Sequence, residues 1–132
     1  MNTTLTTAAA QTTTPGISTE IAELMEDLTG FHPAVDRVVS TIGDLLTAGM
    51  NADRSMCAVA AIGAFDQGNI HVLLALVLQQ IANPDANPAL ADLPDDRKQT
   101  LRRLGSEYVA ALDYDHPTQV ASEIAGAIGG TL

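Results

Sequence analysis

The sequence predicts an all-α protein, a single bundle of five or six helices around a central apolar hairpin. Hydrophobic residues make up 46% of the 132 residues, whereas aromatic residues make up 3% and Trp is absent. An interior limited to Leu, Val, Ile, Met and Ala favours closely packed helices over a β-sandwich. Apolar residues also recur at helical spacing along the chain, and no segment gives a convincing strand.

Residues 1–16 are predicted to form a flexible arm that precedes the helical domain of residues 17–132. The arm contains seven Thr and no charged residue, and the first charge of the chain is Glu20. Such a segment is typically disordered when it is alone in solution. If it is ordered, its Thr-rich composition suits an extended strand against a neighbouring subunit.

The first two helices are predicted at residues 19–28 and 33–48. Ser18 is the expected N-cap of the first helix, which separates an apolar face from an acidic one. The second helix begins at Pro33, an amino acid well tolerated at the first helical position, and His32 before it is expected to act locally. Its apolar residues follow the i, i+3, i+4, i+7 spacing of a helix face.

The central hairpin is predicted from a long apolar segment, residues 55–84, in which Asp66 is the single charged residue. The sequence Asp66-Gln67-Gly68-Asn69 interrupts this segment with turn-forming residues, which predicts helices at 52–67 and 70–82. Each apolar block is too short to span a membrane, which takes about 20 residues. The second of these helices has almost no polar face, so it is expected to be surrounded by protein on most sides.

The last two helices are predicted on either side of a break at residues 113–117. A proline-rich loop at residues 83–94 leads into a helix at 94–112, whose first turn carries Asp95 and Asp96. Acidic residues are favourable at that end of a helix. The final helix is predicted to run to about Ile128, before Gly129 and Gly130.

The charge balance argues against direct nucleic-acid binding. Sixteen acidic residues and six basic residues give a formal net charge of −10. Affinity for nucleic acid depends largely on Lys and Arg side chains that neutralise phosphates, and this chain has few of them. An acidic surface suits solubility, a basic protein partner, or mimicry of nucleic acid.

No catalytic, metal-binding or cofactor-binding constellation is recognisable in the sequence. His32, His71 and His116 are far apart and lack the paired spacing of a zinc site, and no glycine-rich phosphate loop is present. Asp113, Asp115 and His116 suggest a capped turn more than a cation site. The single cysteine, Cys57, is expected to be buried and inert among apolar neighbours.

Candidate partner-binding residues form two groups of opposite charge. Four of the six basic residues lie in a seven-residue stretch, residues 97–103, inside the fifth predicted helix. Arg103 can also pair with Glu107 there. The acidic face of the first helix provides the opposite charge, which could receive the basic group of another copy. The candidates are Lys98, Arg102, Arg103, Glu20, Glu23 and Asp27.

These observations favour a non-enzymatic assembly or protein-interaction subunit, with another protein or a second copy as partner. The main alternative is a helical bundle that binds an apolar small molecule in its core. A minor alternative is an acidic inhibitor that mimics nucleic acid. The absence of disulfide-forming cysteine pairs is typical of a cytoplasmic protein or of a component of a larger soluble assembly.

Overall fold

The computed structural model describes residues 12–65, 68–112 and 117–130. These residues form helices and turns with no β-strand, and they confirm the all-α fold class and its helical packing. A π-helical turn at Ala60–Ala64 extends α3, and a single 3₁₀ turn spans Pro88–Leu90. The α-helices are α1 (Thr19–Asp27), α2 (Pro33–Thr47), α3 (Ala52–Val59), α4 (Ile70–Ala82), α5 (Asp95–Ala111) and α6 (Pro117–Gly129).

Polar side chains begin several of these helices at the predicted positions. Asn69 is the clearest case, because its Oδ1 accepts the backbone N–H of Val72 at 3.0 Å and its Nδ2 donates to the Phe65 carbonyl at 3.3 Å. This cap satisfies one of the backbone donors that a helix N-terminus leaves free. The other side-chain caps at helix starts are Ser18, His32 and Asn51.

The chain divides into two compact units, residues 1–55 and residues 56–132. In the N-terminal unit, α1 packs against α2 through Met25 and the buried Gly43. A Cβ added to Gly43 would lie 2.6 Å from Met25 Cε, so the missing side chain makes room for the methionine. Val39 is the buried large apolar side chain of α2.

The described end of the N-terminal arm bonds to its own chain. Thr13 and Met50 form an isolated antiparallel bridge, with N–O distances of 3.0 and 2.7 Å, and the Gly16 N–H donates to the Leu46 carbonyl at 3.1 Å. Residues 13 and 16 therefore form backbone hydrogen bonds within their own chain, and these bonds need no neighbouring subunit. Residues 1–11, the rest of the predicted arm, lie outside the described part of the chain.

In the C-terminal unit, α4 packs on one flank against α5 and on another against the π-helical turn, which in turn packs against α6. Small residues mediate these contacts. Gly105 on α5 is buried against Gln79, whose Cγ lies 3.2 Å from the position of an added Cβ. Gly63 faces Ala121 of α6 in the same way, at 3.3 Å. The backbones approach closely because no large side chains separate them.

Two predicted breaks fall outside the described residues. The structure does not describe the turn residues Asp66 and Gln67 of the first break. It also does not describe the segment 113–116 of the second, which contains two aspartates and His116. The helix predicted to reach residue 67 keeps helical backbone only to Ala64, and Phe65 is extended with φ −65° and ψ 123°. The following helix begins at Ile70, as predicted.

Candidate functional site

One side of α4 in the C-terminal unit exposes several large apolar side chains to solvent. Leu73 and Ile81 keep 58% and 61% of their surface exposed, and Leu76 keeps 46%. Scattered exposed leucines are common, but a contiguous apolar patch usually marks an interaction site. We call this surface the outer face of α4 and define it as Leu73, Leu74, Leu76, Val77 and Ile81.

The prediction that protein surrounds this helix on most sides is wrong for the single chain. Ala75, at 2% exposure, is the one buried residue of α4. Residues two positions away on a helix are rotated by roughly 200°, so Leu73 and Val77 lie opposite Ala75. The physical reason is the small-residue packing of this unit. Gly105 of α5 lets the Gln79 backbone approach closely, and Gln79 lies one turn from Ala75 on the same side of α4, so the larger side chains remain outside.

The outer face carries no charge. Apart from His71, which lies outside this face, none of the thirteen residues of α4 is acidic or basic. Ile70, Leu73, Val77 and Gln80 follow the alternating spacing of three and four residues that is typical of a helix–helix seam. The exposed Gln80 is the polar member of this stripe. Helices with such a stripe are stable in water chiefly when a second helix covers it.

An open apolar groove lies beside the outer face, where α4 meets α5. Its volume is about 430 Å³. The exposed Leu104 and Tyr108, one helical turn apart on α5, form one wall. The groove therefore extends the apolar surface from α4 onto the next helix. The other lining residues are Leu78, Ala82, Leu101, Gly105 and Glu107.

The predicted basic group is largely engaged within its own chain. Arg102 donates from Nε and Nη2 to the two carboxylate oxygens of Asp85 at 2.9 and 2.8 Å. Arg103 pairs with Glu107 at 2.9 Å, which confirms the predicted i, i+4 pair. Lys98 is half-buried and contributes attraction to Asp85. A partner that used Arg102 or Arg103 would have to replace these bonds.

The Asp85–Arg102 pair gives a testable dependence on pH. The hydrogen bond from Arg102 lowers the pKa of Asp85, with a further contribution from the charge of Lys98. A carboxyl whose pKa is lower in the folded state stabilises the fold above its unfolded pKa, and this contribution disappears as the pH falls through the folded value. Because both side chains are exposed, the effect on stability is small.

We expect Arg102→Gln to raise the pKa of Asp85 toward the value of about 3.9 found in model peptides. NMR titration of the Asp85 carboxyl carbon measures this change directly. Lys98→Gln is expected to raise the pKa less, and Arg103→Gln is the control that leaves it unchanged. An Asp85 pKa that is the same in wild type and Arg102→Gln contradicts the assignment of the ion pair.

The predicted acidic group lies on the exposed surface of α1. Glu20, Glu23 and Asp27 are all exposed, and none of them forms an ion pair with a described residue. The same helix also leaves Leu24 exposed on its apolar side. These residues belong to the N-terminal unit, whereas the basic residues belong to the C-terminal unit.

A second cavity of the C-terminal unit has a volume of about 240 Å³, and we call it the His71 pocket. The side chain of His71 is exposed and lines this pocket. The start of α4 supplies Asn69 and Val72, and α6 supplies Thr118. The other lining residues are apolar or glycine: Val59, Ile62, Gly63, Leu112, Ala121 and Ile124.

Other chemical groups give no assembled site in the described ranges. Cys57 was predicted to be buried, and this prediction is wrong, because the thiol is exposed on α3. Its apolar neighbours in sequence lie on other sides of the helix, since consecutive residues are rotated by roughly 100°. Residues 12–65, 68–112 and 117–130 contain no cluster of three potential metal ligands and no helix that is long and apolar enough to cross a membrane.

Comparison with known proteins identifies no relative. No protein-family model, no curated protein and no solved structure matches this chain.

Proposed function

We propose that this protein is a non-enzymatic assembly subunit that binds a second copy of itself through the outer face of α4. The observation that carries the proposal is the exposure of five large apolar side chains on one uncharged helix face. Covering the remaining half of each Leu or Ile is worth roughly 1 kcal/mol, so association of two such faces is favourable.

The absence of charge on this face favours a second copy as the partner. The protein carries a net charge of −10, so two copies repel one another over most of their surfaces. A face without acidic residues is a place where two copies can meet without opposing like charges directly. The heptad-like stripe through Leu73 and Val77 is suited to pairing with the same helix of a two-fold partner.

The groove beside the outer face supplies a rim for the same contact. Leu104 and Tyr108 continue the apolar surface onto α5, and Tyr108 offers a hydroxyl at its edge. An apolar centre with an aromatic and polar margin is typical of protein interfaces. The ion pairs of Arg102 and Arg103 can then remain within each copy.

Light scattering over a range of protein concentrations tests the proposal. We expect the molar mass to approach at least twice that of the 132-residue chain at micromolar to millimolar concentrations. Added salt should strengthen association, because it screens repulsion between acidic copies and leaves the apolar contact intact. A mass that remains monomeric over the whole range, at low and high salt, contradicts self-assembly.

A further inference from the structure

The shape of the His71 pocket is set by a local irregularity in the helix that precedes it. Ala60–Ala64 forms a π-helical turn, a conformation that is rare and frequently found at functional sites. Gly63 within this turn faces the pocket. A Cβ added there would lie 3.3 Å from Ala121 Cβ and 3.6 Å from His71 Cδ2. The glycine thus keeps open the space between the turn, α4 and α6.

The volume of the pocket limits the size of an occupant. An apolar protein cavity of about 150 Å³ holds one benzene molecule. By proportion, the 240 Å³ of the His71 pocket accommodates roughly ten non-hydrogen atoms. Val59, Ile62 and Ile124 are among the aliphatic residues that would contact such a molecule. A ring with one or two small substituents meets this limit, and a long lipid chain does not.

The polar atoms of the lining restrict the chemistry further. Both polar atoms of the Asn69 side chain are already used, Oδ1 by the Val72 N–H and Nδ2 by the Phe65 carbonyl. His71, in contrast, makes no hydrogen bond to any residue that the structure describes, so a ring nitrogen is available. Among the residues that the structure describes, no acidic or basic side chain other than this imidazole lines the pocket. From these described residues a charged ligand would gain no partner of full opposite charge to offset its lost hydration.

We propose that the His71 pocket binds a small, neutral, mainly apolar molecule of phenol type, whose single hydroxyl group hydrogen-bonds to the His71 imidazole. This function is independent of self-assembly, because the pocket lies between the π-helical turn and the starts of α4 and α6, and none of its lining residues belongs to the outer face of α4. The aliphatic walls contribute most of the affinity, and His71 contributes selectivity for the hydroxyl group.

The test uses three probes of similar size, titrated into the full-length protein and followed by amide NMR shifts. The probes are 4-methylphenol, toluene and 4-methylbenzoate. We expect 4-methylphenol to bind at least threefold more tightly than toluene, and 4-methylbenzoate at least tenfold more weakly than 4-methylphenol. The shifted amides should include those of Gly63, Val72 and Ala121.

Two variants separate the contribution of the cavity from that of the imidazole. Gly63→Val places methyl groups in the pocket and should weaken both neutral probes at least tenfold. His71→Phe should abolish the preference for 4-methylphenol over toluene while toluene binding is retained. If Gly63→Val does not fold, the loss of selectivity in His71→Phe is sufficient to test the proposal. His71 is exposed, so its replacement leaves the packing intact.

Three results would overturn the proposal. The first is the absence of amide shifts with either neutral probe up to its solubility. The second is a set of shifts centred on Leu104 and Tyr108, which would place the probe in the groove between α4 and α5. The third is a preference for 4-methylphenol that persists in His71→Phe.

Discussion

Leu73→Asp is expected to abolish self-association while the protein keeps its helical content. Leu73 is 58% exposed and belongs to the outer face of α4, opposite the buried Ala75. In a two-fold interface the substitution places two carboxylates in an apolar contact, which costs several kcal/mol. Association should therefore weaken by at least about 100-fold, since 1.4 kcal/mol corresponds to a factor of ten.

Light scattering and far-ultraviolet circular dichroism on the same samples measure this effect. The isolated chain should tolerate the variant, because an acidic residue in the first turns of a helix is compatible with the helix dipole. Gln99→Asp is the matched control, since it adds the same charge at an exposed position of α5. Association that is equally strong in wild type and Leu73→Asp would exclude the outer face of α4 as the interface.

Leu76→Asp provides a second variant on the same face. If protein surrounded α4 on most sides, this substitution would destabilise the fold by several kcal/mol, because it would bury an unpaired charge. With 46% of Leu76 exposed, we expect the main effect on association and a smaller effect on the unfolding of the single chain. A variant that loses helicity at every concentration would show that Leu76 is part of the folded core.

Ala75→Asp is expected to destabilise the C-terminal unit by several kcal/mol. Ala75 is 2% exposed, on the side of α4 opposite Leu73. The substitution buries a carboxylate and adds volume where the helices approach closely, and both effects are strongly unfavourable. The thermal midpoint should fall by at least about 10 °C, as expected for a loss of this size in a domain of about 100 residues.

Comparison with Leu73→Asp separates the effect of burying a carboxylate from the other effects of introducing Asp into α4. Both variants introduce Asp into the same helix two residues apart, so differences in helix propensity largely cancel. Thermal denaturation followed by circular dichroism should give a large loss for Ala75→Asp. For Leu73→Asp, the loss should be confined to concentrations at which the wild type is associated. Equal midpoints for the two variants at low concentration would contradict the inward orientation of Ala75.

Local sequence signals determined most of the secondary structure. The start of α4 at Ile70 followed from the capping residue Asn69, and the start of α2 followed from Pro33 and His32. The pair of Arg103 and Glu107 was also predictable, because residues four apart on a helix are neighbours. Each of these features depends on residues close in sequence, whose interactions are the same wherever the helix packs.

The orientation of the helices was decided only by the tertiary structure. The apolar composition of α4 predicts that the helix is buried against protein. A helix that is apolar on all sides does not, however, indicate which side faces its own chain. Gly105 and Gly63 determine which side of α4 faces its own chain, because neither has a side chain that would keep the neighbouring helices apart. The exposed outer face and the His71 pocket both depend on such contacts between residues distant in sequence, and no local pattern specifies them.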